Sequence, residues 1–106
     1  MEGLRQFDVC INPDASTRRD IPLVVILQSD FVLGLRSVVV APVRRKGKHP
    51  PLSRLAIEFS FKGNDYVVAL HELATLQTAR LQPAGLNVTA LRERIVRALD
   101  LLFTGI

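Results

Sequence analysis

The chain has no tryptophan, a single tyrosine and a single cysteine among its 106 residues. Cys10 alone excludes an intrachain disulfide framework. His49 and His71 stand far apart with no further cysteine near them, so no zinc-ligand spacing exists. With five phenylalanines and that one tyrosine, a platform for stacking successive bases is poorly supplied. Long apolar runs are also missing. Leu23 to Leu27 spans five residues and Val38 to Ala41 four, against the ~20 that a membrane-spanning helix needs. The opening residues, Met1 to Phe7, carry Glu2 and Arg5 and no apolar core of a signal peptide, which leads to the expectation of a cytoplasmic protein.

What is present is enough for one globular domain, residues 1–106, with 48% hydrophobic residues to build a core. Fourteen Lys and Arg outweigh ten Asp and Glu, a net charge of +4, and the isoelectric point is near 10.0. Arginine, not lysine, supplies most of the positive charge, and its planar fork suits carboxylate and phosphate. Such a balance permits nucleic acid or an acidic protein as partner.

The first half reads as β. Phe7 and Val9 at period two predict a strand ending near Ile11, and Asn12-Pro13-Asp14-Ala15-Ser16-Thr17 is a turn cluster. The β-branched run Leu23–Leu27 predicts a strand buried on both faces or at an interface. A third strand covers Ser37 to Val43, with Pro42 expected to confine its end to an edge or a bulge. Arg44-Arg45-Lys46-Gly47-Lys48-His49-Pro50-Pro51 reads as a basic loop that could contact phosphates or simply be solvated. Leu55, Ile57, Phe59 and Phe61 alternate with smaller or polar residues, Lys62-Gly63-Asn64-Asp65 turns, and Tyr66 to Leu70 returns as a hairpin. Leu76 to Leu81 allows one more short strand before Pro83 and Gly85 close the β region.

A helix of about 14 residues follows. Thr89 is its expected N-cap, and Leu91, Ile95, Leu99 and Leu102 recur at helical spacing, widened by Val96 and Phe103. Glu93 and Arg97 form an i,i+4 pair, and Gly105 suits the position that ends the helix. An apolar end, Phe103-Thr104-Gly105-Ile106, predicts packing against the sheet or a second copy of the chain. His71-Glu72 is the one candidate acid–base pair, against the plainer reading of solvated turn residues. Cys10 reads as a small strand residue, not a nucleophile.

Several of these segments, in order, resemble the CcdB family of toxin–antitoxin toxins. Gln6-Phe7 is similar to the family's opening Gln-Phe. Gln28-Ser29-Asp30 resembles its Val-Gln-Ser-Asp segment with Leu27 in place of valine, and Pro42 falls where the family has its proline. Ala98-Leu99-Asp100-Leu101-Leu102-Phe103-Thr104-Gly105-Ile106 is similar to the family's last helix and terminal Gly-Ile.

The resemblance implies a mainly β fold, an SH3-like barrel or antiparallel sheet of the CcdB, Kid and MazF type, with a C-terminal α-helix. It implies a homodimer with those helices near the two-fold axis, needing neither metal nor cofactor. Its target would be the A subunit of DNA gyrase, held on cleaved DNA by the toxin's last residues. That role falls on Thr104, Gly105 and Ile106, with Phe103, Asp100, Phe31 and Val32 beside them. Thr104 stands where the family pattern has Trp. An acidic, partly disordered antitoxin would meet Phe31, Val32, Arg92 and Arg97, with Arg94 and the 44–48 segment helping to steer it. Three other readings stay open: a MazF- or Kid-like ribonuclease on the same barrel, a basic nucleic-acid-binding barrel, and a silenced toxin.

Overall fold

The computed structural model describes residues 3–32, 34–47 and 53–105. Within them lie seven strands and one α-helix: β1 (Asp8–Ile11), β2 (Leu23–Ile26), β3 (Ser37–Arg45), β4 (Ala56–Phe61), β5 (Asn64–Ala69), β6 (Ala74–Gln77), β7 (Gln82–Asn87) and α1 (Arg92–Thr104). The strands form one curled antiparallel sheet, a half-barrel, in the order β4-β5-β3-β2-β1-β7, with β6 also on β3. The expected class, mainly β with a C-terminal helix, is the one observed.

Burial on both faces explains why the middle strands are so apolar. Leu23, Val25 and Leu27 point into a core shared with Val9, Val43, Val68 and the helix residues Ile95 and Ala98. Val24 and Ile26 point the other way, onto Cys10, Val38, Val40 and Leu81. The hairpin turn is two residues, Lys62 and Gly63, at φ 50° and 78°. Both positive angles are those of a type I′ turn, whose twist matches the flanking strands.

Three expectations about strands are corrected. Pro42 lies inside a central strand, opposite Val24 of β2, and is buried. Leu27 N–H donates to Val39 O at 3.0 Å, so by alternation the Val24–Pro42 pair is a non-hydrogen-bonded one. The ring nitrogen therefore faces away from β2, toward the gap where β5 ends at Ala69 and β6 begins at Ala74, and no ladder bond is lost. Pro83 and Gly85 do not end the sheet but lie within β7, at its edge, where a register shift against Val9 and Cys10 accommodates them. β6 occupies Ala74–Gln77, not 76–81, and a single 3-10 turn over Thr78–Arg80 leads out of it. The basic stretch likewise begins in strand: Arg44 and Arg45 end β3, while Lys48 to Pro51 lie outside the described residues.

The chain enters β1 through Phe7, a buried residue at φ 68°. That backbone conformation is costly for a bulky residue, by roughly 1–3 kcal/mol. Both of its backbone groups are paired, N–H to Ile26 O at 2.7 Å and C=O from Val88 N–H at 2.9 Å. Phe7 thereby ties the entry of β1 to the end of β2 and to the residue before the helix.

Candidate functional site

The helix sits on the sheet through few residues. Ile95 and Ala98 are buried, Leu91 and Leu99 half-buried. Val96 and Phe103, expected in the same stripe, are 40% and 70% exposed. The end of the helix thus does not fold back onto the sheet, and the apolar side chain of Phe103 stands in solvent. Beside it, the Thr104 hydroxyl donates to Asp100 O at 2.6 Å, one turn back. Gly105 adopts φ 74°, and its N–H closes the last turn on Leu101 O at 3.1 Å, the left-handed ending that glycine permits. Ile106 lies outside the described residues.

At the helix start, the cap is not the expected one. Thr89 does not cap with its own oxygen. The Asn87 carbonyl oxygen accepts from Thr89 N–H at 2.9 Å and from the Thr89 hydroxyl. Asn87 Nδ2 then donates to Gln6 O at 3.0 Å and to Asp8 Oδ1 at 2.9 Å. A short amide reaching two residues on is an Asx turn. It fixes the first turn of the helical segment to the entry of β1.

Gln6 joins the second set of candidates. Its backbone N–H donates to Asp30 Oδ1 at 2.8 Å, and its Nε2 to Leu27 O at 3.0 Å. Its Oε1 accepts from Arg92 Nη1 at 3.3 Å, and the Arg92 guanidinium lies 5.9 Å above the Phe7 ring. The 3-10 turn Asp30–Val32 is held by these bonds and by Phe31 N–H donating to Ser29 Oγ at 3.2 Å. Phe31 itself is 99% exposed. Leu33 and the Val32 side chain lie outside the described part.

The candidates therefore separate into two groups. Phe31 and Arg92 are linked through Asp30 and Gln6 at the start of α1, whereas Phe103, Thr104 and Gly105 cluster at its other end. Ten residues of helix separate Arg92 from Phe103, a rise of about 16 Å at ~1.5 Å per residue. Arg97 and Asp100 connect the two, lining with Arg92, Glu93 and Val96 a shallow groove of about 300 Å³. Glu93 and Arg97 share that groove without forming the expected ion pair among the described residues.

The remaining candidates are more constrained than a free loop would be. Arg44 Nη2 pairs with Glu72 Oε2 at 3.0 Å, and Lys46 Nζ with Glu58 Oε2 at 3.1 Å. His71 Nε2 lies 3.8 Å from Glu72 Oε1, so His71, Glu72 and Arg44 form one exposed cluster at the turn between β5 and β6. Cys10 is fully buried, and burial, with a smaller contribution from the Asp8 charge, pushes its thiol up to about 11. Such a thiol is inert at neutral pH. No cluster of three metal-ligating side chains exists among the described residues, and no helix among them is long and apolar enough to cross a membrane. Sequence reasoning missed Gln6 and Asn87 as the joints of the site, since an exposed amide carries no periodic signal. Only their position beside the strand entry and the helix start could have pointed to them.

The curled antiparallel sheet with its C-terminal helix is a fold shared with two solved toxin structures. The solved "Crystal structure of Mtb toxin" superposes with a TM-score of 0.63 at 19% identity, over 76% of this chain and 91% of that one. The Mycobacterium tuberculosis toxin MazF-mt6 superposes with a TM-score of 0.67 at 17% identity, over 93% and 96%. No curated protein matches in sequence. The family model described as CcdB protein matches residues 6–105, and the chain belongs to the CcdB family. It is a toxin of the toxin–antitoxin kind.

Proposed function

We propose that this toxin poisons DNA gyrase as a homodimer, trapping the enzyme on cleaved DNA through the end of α1, and that an acidic antitoxin relieves it. The observation that carries this is the exposed helix end of a CcdB-family chain: Phe103 in solvent, with Thr104 and Gly105 closing the last turn. An aromatic side chain held on a rigid helix loses little freedom when it enters a pocket, which suits it to anchor an interface. No chemistry by the toxin is needed. A body wedged into the open gyrase A subunit blocks religation by occupying space. Val96, exposed, and half-buried Leu99 lie further back on α1, and that part of the helix is the proposed contact between the two copies, which leaves Phe103 free for gyrase. The turn carrying Phe31 and the cation Arg92 form the proposed antitoxin surface.

Purified protein is incubated with gyrase, ATP and supercoiled plasmid, then denatured with detergent. Linear DNA that vanishes when Gly105 and Ile106 are deleted is the expected result. Absence of linear DNA, with gyrase active and the protein folded, overturns the reading.

One observation favours a second reading, a ribonuclease. His71, Glu72 and Arg44 bring a proton carrier, a carboxylate and a guanidinium together on a fold shared with MazF-mt6. Cleavage of RNA by the purified chain, lost on His71→Ala and on Glu72→Gln, would replace the gyrase reading with this one.

A further inference from the structure

Away from the helix, two guanidiniums converge on one backbone oxygen. Arg18 Nη2 lies 3.5 Å and Arg80 Nη2 3.3 Å from Pro13 O, while Arg18 Nε donates to Asn12 O at 2.8 Å. The two terminal nitrogens therefore lie within about 7 Å of each other, a span over which one phosphate can take a hydrogen bond from each fork. Neither arginine is in an ion pair among the described residues. The segment between β1 and β2 also exposes Arg19. Arg36 borders the same region, because Thr78 N–H, two residues before Arg80, donates to Arg36 O at 2.8 Å. Asp14 and Asp20 are the acids of this face. The Asp14 carboxylate accepts from Ser16 N–H at 3.0 Å and from the Ser16 hydroxyl at 2.6 Å, and these bonds, with a smaller contribution from the Arg80 charge, hold its pKa below the usual value. Four arginines against two aspartates leave the face positive.

We infer that this arginine face, centred on Arg18 and Arg80, binds the phosphate backbone of a nucleic acid. Like charges gathered at one point and only partly offset by Asp14 and Asp20 favour the arrival of an anion. The cations are all arginine, the side chain whose fork matches phosphate oxygens. Residues 14–20 include no large apolar side chain, and the exposed Leu35 lies at the border beside Arg36; a protein partner would want an apolar side chain at the centre of its interface. Charge without an apolar centre is the footprint of backbone contacts, which position a protein on nucleic acid without reading bases. This face is independent of the helix end assigned to gyrase.

The test is fluorescence anisotropy with a labelled DNA duplex of about 20 base pairs, titrated between about 50 and 200 mM salt. Binding should weaken steeply with salt. Arg18→Ala with Arg80→Ala should lower affinity about tenfold and reduce the log–log salt slope by about two. Arg45→Ala with Arg54→Ala, which removes the same charge elsewhere, should change affinity less than about twofold. Because Arg18 also braces its own loop, Arg19→Glu with Arg36→Glu provides a second pair whose side chains make no hydrogen bond or ion pair among the described residues, and it too should lower affinity by about tenfold or more. No binding at the lowest salt, or an equal loss in the Arg45/Arg54 pair, overturns the inference. So does a polyglutamate peptide that binds as tightly with the same dependence on Arg18 and Arg80, which would assign the face to an acidic protein.

Discussion

Thr104→Trp should strengthen gyrase poisoning, and the structure sets how much. Thr104 is exposed, so the larger ring meets no packed neighbour. The change removes one hydrogen bond, from the hydroxyl to Asp100 O at 2.6 Å. That carbonyl is at the solvent-facing end of the helix, so water replaces the hydroxyl and the loss is below about 0.5 kcal/mol. The helix stop is untouched, because Gly105 N–H still reaches Leu101 O. A tryptophan brings roughly 200 Å² of apolar surface, and such an anchor in a pocket contributes about 2–4 kcal/mol. In a plasmid cleavage titration, the toxin concentration giving half-maximal linear DNA should fall by about 30-fold or more. Phe103→Ala should move it the other way by about tenfold or more, because Phe103 is the aromatic already on this surface. An unchanged midpoint for both variants, with melting temperatures near that of the parent, would refute the idea that the helix end meets gyrase.

Ile95→Ala should destabilise the fold by about 2–5 kcal/mol in urea unfolding, since Ile95 is fully buried and is the main side chain seating α1 on the sheet; Val96→Ala, on the exposed stripe, should cost under about 1 kcal/mol. Asn87→Ala should cost about 1–2 kcal/mol, because it removes the Asx turn at the helix start together with the bonds to Gln6 O and Asp8; hydrogen exchange should then quicken first at residues 89–92. The Cys10 thiol is raised by burial from its ordinary value of 9.0 to about 11 in the fold. The folded state thus holds the proton longer than the unfolded one. Stability should be full below pH 9 and fall by on the order of 2 kcal/mol as the pH rises to 11, with Cys10→Ala showing a flatter decline in alkaline urea melts.

The parts of the fold legible in the sequence are those where one local signal had no competitor. The alternation of Ile57, Phe59 and Phe61 and the Lys62-Gly63 turn define the hairpin, and the fold realises both. The run Leu23–Leu27 declared its burial on two faces. Proline and glycine misled because their cost depends on neighbours that the sequence does not display. At Pro42 the missing donor faces a gap between two partner strands. At Pro83 it lies on an edge, and Gly85 takes φ 88° in the bulge beside it. Phe7 inverts the problem: a bulky residue in a conformation usually left to glycine, stabilised by backbone partners about 20 and 80 residues away in the chain.

The candidate site was legible as a set of residues but not as a shape. The helical spacing of Val96 and Phe103 placed them as a widening of the apolar stripe, yet α1 seats on the sheet along the Ile95–Ala98 line and turns them outward. The same rotation decides what a partner can touch. Phe31 is fixed beside Arg92 through Asp30 and Gln6, and Phe103 and Thr104 lie a helix length away. A partner that engages only one group leaves the other free, and a partner that engages both must run along the groove of Arg92, Val96, Arg97 and Asp100. An extended, acidic chain has the length and charge for that path. On the proposed assignment, gyrase at the helix end and the antitoxin at the helix start are therefore separable by mutation. Gln6→Ala should weaken the second, by releasing Arg92 and the bond to Leu27 O while the backbone bond to Asp30 stays, and should leave DNA cleavage at saturating toxin unchanged.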